Sequence, residues 1–172
     1  MLSDNLTATM DLVGLMIDKG NAFRAFTEIT VPANGEYALS VKTGENVAVL
    51  YNRIVTPDQP NIRYEVRLGA TTENLGTPIT IFPANAKRIK SSGVVMRPCD
   101  YTQAGTLTDI DIIPGQAASG SNKTGQVYSP DETKPIPENL ETLVIVKNPN
   151  NDDCNVLIYY KWFEVGSNSW DQ

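Results

Sequence analysis

The sequence predicts an all-β fold: an antiparallel, jelly-roll-like β-sandwich with one short N-terminal helix. Three observations lead to this reading. From residue 22 onward apolar residues recur with a period of two, which gives one strand after another an apolar face. Pro- and Gly-rich turns break these runs at short intervals, as eight to ten short strands would require. Polarity lies more in Asn, Thr, Ser and Gln than in charge, with 41% hydrophobic and 20% charged residues. A chain of 172 residues fits one domain, large enough to bury roughly 70% of its unfolded surface.

The helix is the exception to the two-residue period. Within residues 5–19, Leu6, Met10, Val13 and Ile17 recur at three- and four-residue spacing, and Leu12, Leu15 and Met16 widen the stripe. Ser3 or Asp4 offers an N-cap, and Gly20 stands where a left-handed C-terminal residue is wanted. With Gly14 inside and only about four turns, such a helix is marginal alone. It must dock, either on its own sandwich or on a neighbouring subunit. The expected organisation is a helical arm over 1–21, a sandwich over 22–166 and a C-terminal tail over 167–172.

The strands follow in order. Phe23, Ala25, Ile29 and Val31 alternate with Arg24, Glu28 and Thr30 up to the turn at 32–35. Tyr37, Leu39 and Val41 form the next run, ended by Gly44, and Val47, Val49 and Tyr51 lead a third that reaches Val55. Ile62, Tyr64, Val66 and Leu68 alternate with Arg63, Glu65 and Arg67, the cleanest half-buried pattern in the chain. Segments 79–82, 94–96 and 107–113 are further candidates. Residues 114–137, rich in Gly, Ser, Asn, Lys and Pro, read as a long loop of the kind that is mobile or contacts neighbours. Segments 140–147 and 155–165 read as a closing hairpin across the turn 148–153. The expected core is Phe23, Ile29, Val31, Leu39, Val41, Val49, Tyr64, Val66, Leu68, Ile81, Val144, Val146, Leu157 and Tyr159.

Charge and composition narrow the partners. A net charge of −6 and a pI near 4.6 oppose a phosphate backbone, so no nucleic-acid partner is expected. Lys87, Arg88 and Lys90 read as a solvated loop. No apolar run approaches the ~18 residues of a membrane span, so no membrane partner is expected. The N-terminal segment has no basic n-region, and Asp11, Gly14 and Asp18 interrupt its apolar residues, unlike a signal peptide. Cys99 and Cys154 read as two buried thiols, with a single bridge as the alternative.

Catalytic chemistry is thinly represented. The chain has no histidine, which removes Ser-His-Asp and Cys-His nucleophiles and every imidazole metal site. Two cysteines cannot build a structural zinc site, and no glycine-rich phosphate loop follows a strand. Asp109 and Asp111 share one strand face, which suits a catalytic pair, a calcium site, or the solvated side of a strand whose other face is Ile110 and Ile112. The last reading is preferred. Asn150, Asn151, Asp152 and Asp153 line up four side-chain oxygens, but such runs are what tight turns use, and the distal Glu of a calcium loop is missing. Tyr160 and Trp162 share one face of the final strand, with Tyr159 and Phe163 on the other; core packing or a subunit interface is preferred there over a sugar platform. Asn5 and Asn122 begin glycosylation acceptor triplets that carry meaning only with a secretory signal. The expectation is a non-enzymatic protein with no catalytic, cofactor-binding or metal residues and no cofactor.

One resemblance spans most of residues 22–164. The order Phe26-Thr27-Glu28-Ile29-Thr30-Val31-Pro32-Ala33-Asn34-Gly35, then Leu39-Ser40-Val41-Lys42-Thr43-Gly44, resembles the start of small virion structural proteins of tailed bacteriophages. Arg63-Tyr64-Glu65-Val66, Thr71-Thr72 and Gly76-Thr77-Pro78 continue it, and Leu143-Val144-Ile145-Val146-Lys147-Asn148 with Tyr160-Lys161-Trp162-Phe163-Glu164 ends it. The resemblance implies a virion protein made in the host cytoplasm: a capsid decoration (cement) protein on the outside of the head, or a tail component. It also implies a homo-oligomer, expected as a trimer, bound to the major capsid protein or another virion protein. A carbohydrate- or receptor-binding module on the same fold is the alternative, and an enzyme resting on Asp109 and Asp111 a distant third.

Overall fold

The computed structural model describes residues 12–114 and 133–166. The start of the predicted helix, the loop over 115–132, the tail at 167–172 and both glycosylation triplets lie outside these residues.

Twelve strands are found among the described residues: β1 (Ala22–Val31), β2 (Glu36–Lys42), β3 (Asn46–Pro57), β4 (Ile62–Leu68), β5 (Thr71–Glu73), β6 (Ile81–Pro83), β7 (Val95–Pro98), β8 (Asp100–Gln103), β9 (Thr106–Ile113), β10 (Lys134–Ile136), β11 (Glu141–Lys147) and β12 (Cys154–Gly166). They form two five-stranded antiparallel sheets. The first has the order β10-β3-β12-β1-β6, the second β7-β2-β11-β4-β9, and β5 pairs with β8 in a small third sheet. The pairs β1/β2, β3/β4, β9/β10 and β11/β12 each step from one large sheet to the other. That is the jelly-roll path, with β6 and β7 added at two edges.

This path corrects one expectation. Strands β11 and β12 form no hairpin: β11 lies between β2 and β4, and β12 between β1 and β3. The intervening turn is an arch held by Asn148, whose buried amide donates to the carbonyls of Val31, Pro32 and Asp152. Its Oδ1 accepts from the Asn150 N–H, and Asn34 N–H donates to the Asn150 carbonyl. The arch between β11 and β12 is thereby bolted to the one between β1 and β2. The neighbouring side-chain oxygens are used in the same way: Asp153 accepts from Ala33 N–H and Asn151 from the Asn34 amide.

The main core lies between the sheets. Phe23, Ala25, Ile29 and Val31 of β1 and Val156, Ile158, Tyr160 and Trp162 of β12 face Leu39, Tyr64, Val144 and Val146 across the gap. The face chosen for β12 from sequence was therefore the wrong one: Leu157 is 44% exposed and Tyr159 is half-buried. Apolar residues run continuously from Val156 to Tyr160, so the pattern carries no parity, and only the pairing with β1 sets it. Val66, Leu68 and Ile81 are partly rather than fully buried.

Two smaller clusters cover the outer faces. Residues 12–18 are helical and lie on the outside of the first sheet, where Met16 packs with Ala22, Val49 and Phe163, flanked by Val13 and Ile17. Of the two docking partners open at the sequence level, the described part of the helix takes its own sandwich. It ends in a Schellman cap: Gly20 N–H donates to Ile17 O, Asn21 N–H to Met16 O, and Gly20 has φ +73°. Asn85 donates to the Ile17 carbonyl and ties this end to the loop after β6. On the second sheet, Ala38, Leu143, Ile145 and Cys99 form the other outer cluster, flanked by Ala70 and Tyr101 beside the small third sheet. Both cysteines are free and buried.

Candidate functional site

The polar centre of the interior is a residue that sequence patterning did not single out. Strand β3 carries a bulge at Tyr51, opposite the step from Lys161 to Trp162 in β12. Before it, Ala48 and Leu50 point inward; after it, Arg53 and Val55 do. The extra residue moves a guanidinium into the sandwich, where Arg53 is only 5% exposed.

A buried charge is tolerated only with partners, and β9 and β10 supply them. Asp111 accepts a hydrogen bond from Arg53 Nη2. Asp109 Oδ2 lies 3.7 Å from Arg53 Nη1 and 2.7 Å from Lys134 Nζ. The guanidinium carbon sits 4.4 Å from the centre of the Tyr64 ring, and the Tyr64 and Tyr160 hydroxyls hydrogen-bond at 2.6 Å. Five strands meet at this cluster, β3, β10 and β12 of the first sheet and β4 and β9 of the second, and the Tyr64–Tyr160 bond spans the gap between the sheets.

Asp109 and Asp111 do share a face, as their spacing requires, but it is not the solvated one. They point inward to Arg53, while Ile110 and Ile112 are 41% and 60% exposed. The inversion follows from the electrostatics: a buried guanidinium needs carboxylates, and the edge position of β9 leaves its apolar residues in water. Burial pushes the Asp109 carboxyl up, but the Lys134 hydrogen bond and the charges of Lys134 and Arg53 outweigh it and hold it below the usual aspartate range. Burial pushes both Tyr64 and Tyr160 up, so both phenols stay protonated. Each carboxylate is thus committed to a cation. The arrangement suits holding and orienting more than proton transfer.

Beside the cluster lies a cavity of about 370 Å³ between the sheets, walled largely by apolar side chains and bordered by Arg53, Asp109, Lys134, Tyr64 and Tyr160. Of these, the sequence marks Asp109 as a candidate carboxylate, Tyr64 as core and Tyr160 as core or interface, and it marks neither Arg53 nor Lys134. A charged residue inside the otherwise apolar β3 run was the available signal for Arg53; Lys134 stood in a segment read as loop.

A second feature lies on the outer face of the first sheet, away from the cluster under the described part of the helix. Phe26, 52% exposed, pairs with Tyr159, which pairs in turn with Ile54; Leu157 continues the patch one row further. Phe82 of β6 stacks on Phe26 with ring centres 5.5 Å apart and an 8° interplanar angle, and Tyr159 lies 6.5 Å from Phe26. The basic loop behaves as expected: Lys87, Arg88 and Lys90 are exposed.

The fold and these two features define a jelly-roll sandwich with a charge-paired interior and an aromatic outer face. No protein-family model matches the chain, and no curated protein matches it.

Proposed function

We propose that the chain is a non-enzymatic structural protein of a bacteriophage virion, a capsid decoration protein that sits on the outside of the head as a homo-oligomer. The observation that carries this reading is the aromatic face of the first sheet. Phe26, Phe82, Tyr159 and Leu157 leave a contiguous apolar surface in water on a chain of −6 net charge. Such surfaces mark contact sites, and aromatic residues are enriched where they are buried between subunits. The parallel Phe26 and Phe82 rings spend faces on each other, which suits an interface core better than a flat sugar platform. The resemblance of residues 22–164 to small virion proteins supplies the setting, and the trimer is carried by that resemblance alone. Paired rather than free carboxylates support a structural role over an enzymatic one.

The test has two parts. Light scattering of the purified chain is expected to give an oligomer that tightens as salt screens the negative copies, for example from ~0.05 to ~0.5 M. Phe26→Ser with Leu157→Ser should return a folded monomer. Cryo-electron microscopy of particles carrying the protein should place it on the outer shell. A chain that stays monomeric and is absent from particles, or one that saturates with a glycan at this face, overturns the reading.

A further inference from the structure

Between the sheets lies a pocket of about 370 Å³ that opens to solvent on one side, inside the ~300–1,000 Å³ range of small-molecule sites. Leu50, Val66, Met96, Ile136, Val144 and Trp162 form its apolar wall, and Lys134 and Thr108 stand where it meets solvent. Among the described residues, two donors at its border find no acceptor. Arg53 Nε is buried without a hydrogen-bond partner, although the side chain is 7% exposed. The Tyr64–Tyr160 bond uses one of two phenolic protons and leaves the other over. An unmatched buried donor is costly, so two of them beside one void point to an acceptor that the void receives.

Charge decides what kind of acceptor. Arg53 and Lys134 are balanced by Asp109 and Asp111, so the site holds no surplus cation for an anion. At roughly 30 Å³ per non-hydrogen atom, the share of a water molecule in the liquid, the volume suits about ten to twelve such atoms. We propose that this cavity binds an uncharged, mainly aliphatic molecule bearing one carbonyl, with the chain in the apolar wall and the oxygen at Arg53 and the tyrosine pair. Ketone, ester and amide carbonyls share this chemistry. The site is separate from the aromatic outer face and does not depend on the virion reading.

The probes are 2-nonanone and nonanoate, titrated into the full chain and followed by amide chemical shifts in nuclear magnetic resonance. 2-Nonanone is expected to saturate and to move the amides of Val66, Val144 and Ile136, while nonanoate at neutral pH binds at least tenfold more weakly. Tyr64→Phe combined with Tyr160→Phe, which removes the spare proton whichever phenol holds it, should weaken 2-nonanone by about tenfold, the scale of one hydrogen bond. Val66→Phe, which fills the void without touching a polar group, should abolish binding while the protein still melts cooperatively. If Val66→Phe does not fold, the double tyrosine variant and nonanoate arms decide. Absence of saturable shifts, tighter binding of nonanoate, no effect of the double tyrosine variant, or binding that survives Val66→Phe in a folded protein each overturns the proposal.

Discussion

Leu157 and Ile158 are adjacent, similar in size and on opposite faces of β12, one 44% exposed and the other fully buried. Truncating Ile158 to Ala removes core volume and should cost about 2–5 kcal/mol. Leu157→Ala should stay within about 0.5 kcal/mol. Denaturant melts of the two variants check the assignment, and equal losses would contradict it. Glu65 is a second residue with a readable signature. It points outward from β4 but is 3% exposed, clamped by Arg67 at 2.8 Å and Lys147 at 3.2 Å. Burial pushes its carboxyl up, yet the Arg67 and Lys147 hydrogen bonds outweigh this and leave it below the usual glutamate range. A depressed folded value means stability that is present above the unfolded value and lost as pH falls through the folded one. Wild type should therefore lose more stability than Glu65→Gln between about pH 5 and pH 3, measured as the fall in denaturant midpoint.

At the scale of elements, Asn148 is the residue on which the arch between β11 and β12 depends. Asn148→Ala leaves the Val31, Pro32 and Asp152 carbonyls without their donor and should cost about 2–3 kcal/mol. Asn148→Asp, isosteric but without the N–H groups, should cost at least as much; a neutral result for either in thermal melts would remove the arch from the account. The elements also set how much the sequence could reveal. The bounds and the inward face of Ile62–Leu68 are legible because apolar and charged side chains alternate strictly there, although Val66 and Leu68 are only partly buried and Glu65 is buried. Strand β10, three residues with a central proline, carries no pattern and was absorbed into a loop. In β3 the single extra residue at Tyr51 reverses the phase midway, so Val47 and Val49, which read as inward, lie on the outer face, while Ala48 and Leu50 before the bulge and Arg53 and Val55 after it point in. Asp109 and Asp111 had the right spacing but no visible partner, because the cation that turns them inward comes from a strand more than fifty positions away. Patterns local to one strand were readable, and those created by pairing were not.

For the whole molecule, the jelly-roll path joins the ends of the sandwich. Strand β12 occupies the middle of the first sheet, hydrogen-bonded to β1 on one side and β3 on the other, and it contributes Val156, Ile158, Tyr160 and Trp162 to the core. During synthesis the ribosome delivers β1 and β3 long before the strand that separates them. Until residues 154–166 clear the exit tunnel, two long apolar strands have no central partner, and the core lacks one wall. Such a topology makes folding wait on the late contacts, with exposed strand edges in the meantime. Stalled nascent chains ending near residue 150 should thus remain protease-sensitive and held by chaperones, whereas chains extended past Gly166 by about a tunnel's length should become resistant in a single step.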